Sequence, residues 1–302
     1  MFTRKSKAAA ISIASNTTLI LLKLVSGLIT GSVSLIAEAI HSIMDLAAAI
    51  VAFVSVSISD RPADRQHPYG HGKAENISGV IEGLLIFVAA GFIIYEAIQR
   101  IITRVELEFL ELGIILMFVS IVVNTVVSRY LHKISRSTDS LALEADATHL
   151  STDVLTMAGV LLGLIVVRIT GLTVIDPVIA LAVALVIIKA AFTITKKSFG
   201  GLMDTRLPEK EEAAIIACLA EHKELVVGFH KLRTRKAGSF RQVDLHLVIP
   251  KALHLDEAHQ ICDHLERHIT GLLDSTDVTI HMEPCKSECR RCTTVCKLRI
   301  IE

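Results

Sequence analysis

Six apolar runs, at about residues 9–30, 33–58, 77–99, 110–130, 145–168 and 173–195, fill the first two-thirds of this 302-residue chain. Each is long enough to cross a hydrocarbon core of roughly 30 Å as a helix. In that setting only helices and closed barrels satisfy every backbone N–H and C=O. Residues 1–204 therefore read as a six-helix membrane domain. A mean hydropathy of +0.56 excludes an ordinary soluble enzyme. The balance of 31 basic against 31 acidic residues leaves no excess positive charge for nucleic acid. The first run follows Arg4, Lys5 and Lys7, but it contains Lys23, is long and lacks a clear cleavage site. It reads as a span, not a signal peptide.

Basic residues in the short connections set the orientation. With the N-terminus in the cytoplasm, the inner segments hold eleven Lys and Arg, and the outer loops only Arg100, Arg104 and Arg168. That bias predicts a multi-pass protein of the cytoplasmic (inner or plasma) membrane with both termini inside.

All six Cys and eight of the thirteen His lie after residue 204, which marks a second, polar domain. Residues 208–222 repeat apolar positions at helical spacing behind Pro208. Strands are expected at 226–234 and 240–249, with Lys236–Ser239 as the loop between them, then a helix at 255–271 and a strand at 277–282. The order αββαβ predicts a small two-layer α+β domain over 205–284, followed by a tail at 285–302. A core this small gains from a bound metal or from dimerisation.

Two spans carry the same titratable pair: His41-Ser-Ile-Met-Asp45 and His149-Leu-Ser-Thr-Asp153. The i,i+4 spacing puts imidazole and carboxylate on one helix face. An Asp near the bilayer centre costs roughly 2.5–3.5 kcal/mol on insertion scales, so such residues face a pathway or a partner. Brought together, the two pairs would offer two nitrogens and two carboxylate oxygens, a tetrahedral shell that suits Zn²⁺. Helix-packing hydrogen bonds or ion pairs are the plainer alternative. Ligands that must lose protons to bind metal let proton and metal compete for one site, the physical basis of antiport. Glu38, Glu82, Glu96, Asn124, Glu144, Asp146 and Lys189 either line a route or sit at interfaces, and Lys23 either snorkels or pairs with an acid.

After the second span comes a loop with Asp64, His67-Pro-Tyr-Gly-His71 and Gly-Lys73-Ala-Glu75. Its three ligand-type residues have metal-like spacing, but solvated charge and turn chemistry from Pro68, Gly70 and Gly72 explain it nearly as well. On the predicted strands His281 and Glu283 share a face, as do Asp244 and His246. Here the sequence resembles the cation diffusion facilitator family of divalent-metal/proton antiporters. The likeness rests on His41–Asp45, the loop from Asp64 to Glu75, His149–Asp153, the His230-Lys-Leu-Arg-Thr-Arg segment and Ile280–His281, and runs from about residue 8 to 284.

The resemblance implies a homodimer whose protomers each have six spans and a ferredoxin-like cytosolic domain. It implies that His41, Asp45, His149 and Asp153 hold the transported ion midway across the membrane. It implies a second site in the loop, from Asp64, His67 and His71, and a binuclear site at the dimer interface from His230, His246, His259, His281 and Glu283. Glu283 departs from the Asp usual in relatives. Lys73 and Asp204 match a charge interlock between the membrane halves.

The tail departs from the family, which ends near Pro284. Cys285, Cys289, Cys292 and Cys296 fall on one helical stripe. A straight helix would spread them over about 16 Å, so one ion would need a bent tail or two tails. A thiolate metal site, a redox-active or iron–sulfur centre, and a tail with no defined site all remain open. Cys218 and Cys262 read as core, and His222, His254, His264 and His268 as surface.

The function expected is proton-coupled efflux of a divalent cation by alternating access, with Zn²⁺ the cargo and regulatory ligand that His-containing sites favour. Iron, manganese, cobalt or cadmium is the alternative cargo. A metal-gated channel and a metal-sensing membrane protein are the other classes. The sequence has no His-Glu-x-x-His and no Gly-rich phosphate loop, so neither a metalloprotease nor a nucleotide-driven pump is expected.

Overall fold

The computed structural model describes residues 3–30, 33–103, 111–170, 174–222 and 224–286. The chain divides into two compact units, Met1–Leu202 and Met203–Glu302.

The first unit is all helix: α1 (Arg4–Thr30), α2 (Val33–Ser59), α3 (Lys73–Thr103), α4 (Glu111–Thr138), α5 (Leu141–Thr170) and α6 (Ile175–Leu202). Each is long and apolar enough to cross a membrane. The helices outrun the apolar runs, most clearly at the start of α3 and the end of α4, because polar helix formers extend the backbone ladder beyond the greasy segment. Large side chains such as Phe92, Val126 and Leu185 are exposed, as a lipid-facing surface requires.

Among these helices α3 packs on α6, α1 on α2 and α4, and α5 touches α2, α3, α4 and α6. Small residues permit the closest approach. A Cβ at Gly79 would run into Ser198 Oγ, and one at Gly83 into Thr195 Oγ1. Gly-x-x-x-Gly on α3 thus brings α6 into near-backbone contact. At one end of the unit Glu75 is fully buried and collects Lys5 Nζ and Ser59 Oγ, each 2.9 Å from Oε1, and Ser140 Oγ, 2.7 Å from Oε2. Ser140 precedes α5, so the carboxylate also sits where the helix dipole favours negative charge.

The second unit contains α7 (Glu209–Glu221), β1 (Gly228–Ala237), β2 (Phe240–Ile249), α8 (Leu255–Leu272) and β3 (Thr276–Pro284). This is the expected αββαβ order. The sheet order is β1-β2-β3, with β1 antiparallel and β3 parallel to β2. Val243, Leu245 and Leu247 alternate into a core shared with Ile215 and Leu219 of α7 and Leu265 and Ile269 of α8. Both helices therefore cover one sheet face, and the alternating partners, His246 among them, point to the other.

The hairpin is tighter than the expected Lys236–Ser239 loop. Lys236 and Ala237 pair with Arg241 and Phe240, leaving Gly238 and Ser239 as the turn, with Gly238 at φ +60°. A bulge lies between His230 and Arg233, with Lys231 at φ +52°. One extra residue in β1 bends the strand beside His230.

Candidate metal centres

Three of the residue groups singled out in the sequence come together. In the membrane unit Asp45, on α2, and His149 and Asp153, on α5, present ligand atoms all within 4.8 Å of one another. His149 Nε2 is 3.3 Å from Asp45 Oδ1 and 3.9 Å from Asp153 Oδ2. The imidazole is buried, and among the described residues its Nδ1 has no hydrogen-bond partner. All three lie well inside their helices, far from either end. The backbone of α2 carries His41 one turn before Asp45, and the His41 side chain lies outside the described residues. Glu82 and Asp146 are buried near this cluster, Glu82 accepting from Ser78 at 3.0 Å. Lys23 is buried and donates to Ser42 Oγ at 2.9 Å.

In the loop Asp64, His67 and His71 form a second group of the same compactness. Asp64 Oδ1 accepts the backbone N–H of His67 at 2.7 Å and of Gln66 at 2.9 Å. Its carboxyl is held below the ordinary range, first by the His67 backbone hydrogen bond. Gly70 N–H closes a turn onto His67 O at 2.9 Å, and Gly70 itself has φ +80°. That turn returns His71 to Asp64, with Nε2 3.4 Å from Oδ2. His71 is largely covered, whereas Asp64 and His67 are half-exposed.

In the second unit His230, His246 and Glu283 form the third group. His230 and His246 are direct partners across β1 and β2, and His246 and His281 across β2 and β3. Glu283 lies two residues beyond His281 on the same face. His246 Nδ1 is 2.7 Å from Glu283 Oε1, and His230 Nε2 is 3.1 Å from Oε2. Those two hydrogen bonds, His246 first, pull the Glu283 carboxyl down to about 2. His281 stands at the rim, more exposed, with its ring 4.6 Å from that of His246.

His259 does not join this group. It is on α8, which covers the opposite sheet face, and pairs with Asp263 at 3.6 Å. Lys73 Nζ donates to the Leu202 carbonyl at 3.4 Å. Asp204, at φ +54°, accepts from Arg235 at 3.3 Å. Cys285 is buried, and its N–H extends the β2–β3 pairing to Ile249 O at 2.9 Å; Cys289, Cys292 and Cys296 lie outside the described residues.

Sequence reasoning missed two features. Glu75 was visible only as the end of the loop motif, although an acid at the start of an apolar span is itself a signal. Cys218, His222 and His268 also form a compact group, with His264 beside them. The reading of Cys218 and Cys262 as core residues holds. His254 is exposed and caps α8, whereas His222 and His264 are half-buried.

Residues 9–203 match the model of the cation efflux transmembrane domain, and residues 207–285 that of the cation efflux protein cytoplasmic domain. An uncharacterized transporter of Synechocystis sp., sll1263, is 37% identical over 263 residues, covering 87% of this chain and 85% of its own length. The cation-efflux pump FieF of Cronobacter sakazakii is 32% identical over 280 residues, 93% of each chain. FieF of Pectobacterium atrosepticum is 33% identical over 255 residues, 84% of each. Six apolar helices followed by an αββαβ cytoplasmic domain, matched by both domain models and by relatives over most of their length, make this chain an integral membrane transporter of the cation diffusion facilitator (cation efflux) family.

Proposed function

We propose that the protein exports divalent metal cations from the cytoplasm in exchange for protons, with Zn²⁺ the principal cargo. The observation that carries this reading is the convergence of Asp45, His149 and Asp153 inside the helical unit, with ligand atoms within 4.8 Å of one another. Tetrahedral Zn²⁺ sites place ligand atoms roughly 3.3–3.8 Å apart, so a small contraction closes the group around an ion. His41, one turn before Asp45, supplies the fourth ligand. Two imidazoles and two carboxylates suit Zn²⁺ better than Mn²⁺ or Mg²⁺, which prefer all-oxygen shells.

These ligands bind metal only when deprotonated. When the site faces the cytoplasm, an arriving cation displaces protons from His41 and His149. When it faces outward, reprotonation weakens the shell and the cation leaves. Rocking of helix groups around this fixed point exchanges access, with α5, which touches both α2 and the α3–α6 pair, placed to couple them. The excess of Lys and Arg in the inner connections supports cytoplasmic termini.

The loop group Asp64–His67–His71 and the sheet group His230–His246–Glu283 are proposed as further cytosolic cation sites. In a homodimer the exposed His281 and a second copy's His259 would complete the sheet site, so that cytosolic metal tightens dimerisation. The direct test is uptake of Zn²⁺, Cd²⁺, Fe²⁺ and Mn²⁺ by proteoliposomes. Zn²⁺ flux that saturates in the wild type and is lost in Asp45→Ala supports the reading. Preferential flux of Mn²⁺, or Zn²⁺ flux that survives the substitution, refutes it.

A further inference from the structure

The cytoplasmic unit contains a further group of ligand-type residues, on its helical layer and across the sheet from the His230–His246–Glu283 group. Cys218 lies in the last turn of α7, and His222 caps the C-terminus of that helix. His264 and His268 occupy consecutive turns of α8. Each helix thus presents an i,i+4 pair on one face, Cys-x-x-x-His against His-x-x-x-His. The helices pack on one another over the shared core. Sγ of Cys218 and one nitrogen each of His222 and His268 lie within 4.8 Å of one another. The His264 ring is 4.4 Å from that of His268 and 5.0 Å from that of His222.

From this geometry we propose that Cys218, His222, His264 and His268 bind a zinc-class divalent cation that clamps the end of α7 to α8.

Three details distinguish the group from a chance gathering of surface residues. First, His222 Nδ1 is 2.8 Å from the Cys218 carbonyl, which can only accept, so Nδ1 carries the proton. Nε2 then keeps a lone pair for a metal, and the carbonyl fixes the ring as supporting partners of ligand histidines do. Second, the other histidines of this domain's helical layer pair with carboxylates: His254 with Asp256 and His259 with Asp263. His222, His264 and His268 pack on one another instead, with ring centroids 4.4–5.0 Å apart. Third, Cys218 is buried at the edge of the core, so the fourth donor is a sulfur shielded from solvent.

A tetrahedral zinc shell needs ligand atoms roughly 3.3–3.8 Å apart, so closing the Cys218–His222–His268 group asks for about 1 Å of side-chain adjustment, and His264 would turn in as the fourth ligand. One sulfur and three imidazoles favour Zn²⁺, Co²⁺ or Cd²⁺ over Mg²⁺, Ca²⁺ and Mn²⁺. A domain of this size has a modest core, and a cation joining its two helices adds a cross-link where burial is limited. The four residues belong to the second unit and share none of the proposed transport ligands, so transport and this site are tested separately.

The test uses the full-length chain in detergent with Cys285, Cys289, Cys292 and Cys296 all replaced by Ser, leaving Cys218 and Cys262. Titration with Co²⁺ alone should give a near-ultraviolet thiolate-to-cobalt charge-transfer band. The band should vanish in Cys218→Ser and in His222→Ala/His268→Ala, and persist in Cys262→Ser. Bound Zn²⁺ should fall by about one ion per chain in the double-histidine variant, as loss of one four-ligand site requires. His268 is exposed, so that variant keeps the fold if Cys218→Ser does not. Absence of the band in the tail-substituted chain, its loss only with Cys262, or unchanged Zn²⁺ stoichiometry in the double variant would overturn the proposal.

Discussion

His149 Nε2 and Asp45 Oδ1 are 3.3 Å apart, joining α5 to α2 across 104 positions of sequence. The contact brings an imidazole and a carboxylate from different helices to one point inside the membrane unit. Together with Asp153, one turn along α5, it forms the group in which, on the proposed function, metal and protons compete.

Replacing either carboxylate should therefore abolish transport without unfolding the protein. Asp45→Ala and Asp153→Ala each remove a ligand and also an unfavourable intramembrane charge. Flux should drop by more than the roughly 10–100-fold typical of losing only a ligand's supporting partner. Zn²⁺ uptake by proteoliposomes, normalised to folded protein by size-exclusion profile, reads this directly. Retention of half the wild-type flux in both variants would remove these residues from the transport site.

Glu75 predicts a stability effect instead. It is fully buried and holds Lys5 at 2.9 Å, so Glu75→Ala leaves an ammonium in a covered position. Loss of one partner of a buried ion pair costs about 3–5 kcal/mol. The lower end is expected because Asp60 lies 3.6 Å from the same ammonium. Glu75→Gln, which keeps acceptor capacity for Ser59 and Ser140, should cost less. Thermal unfolding in detergent checks the ranking, and equal stability of the three proteins would contradict it.

The α3–α6 contact makes a paired prediction. Gly79→Ala places a methyl against Ser198, which is fully buried, and should destabilise by about 1–3 kcal/mol through overpacking. Gly91 lies on the same helix with nothing within 4 Å of an added Cβ. Gly91→Ala should be neutral or stabilising, by up to about 1 kcal/mol of helix propensity. Melting temperatures that move the same way in both variants would show that the close approach does not govern this interface.

These features differ in how legible they were from sequence. The spans were plain because twenty-residue apolar runs admit few alternatives, and the His-x-x-x-Asp pairs stood out because charge is rare there. The αββαβ order followed from alternation in residues such as Val243, Leu245 and Leu247. Less was visible where structure depends on contacts between distant segments. Gly79 and Gly83 carry no sign of Ser198 and Thr195, and the bulge at Lys231 has no glycine to announce it. Cys218 and His268 are 50 positions apart. Their half-pairs were readable at i,i+4 spacing, but only the packing of α7 on α8 makes them neighbours.

Acid should expose the role of Glu283. Its folded carboxyl lies near 2, below the ordinary value of 4.5, because His246 and His230 hydrogen-bond to the carboxylate. A depressed folded value stabilises the native state above the ordinary value, and the stabilisation is lost as pH falls toward the folded one. The metal-free protein should therefore melt higher than Glu283→Gln at pH 6, with the gap narrowing between about pH 5 and pH 3. A gap that is constant or widens on acidification would contradict the assignment.

The account rests most heavily on proton-coupled transport through the Asp45–His149–Asp153 group. The most direct measurement is Zn²⁺ flux into proteoliposomes under an imposed pH gradient, with wild type beside Asp153→Ala. Exchange predicts flux that rises when the lumen is more acidic than the bath, reverses its bias when the gradient is reversed, and disappears in the variant. Wild-type Zn²⁺ flux indifferent to the gradient would contradict the account and indicate a channel.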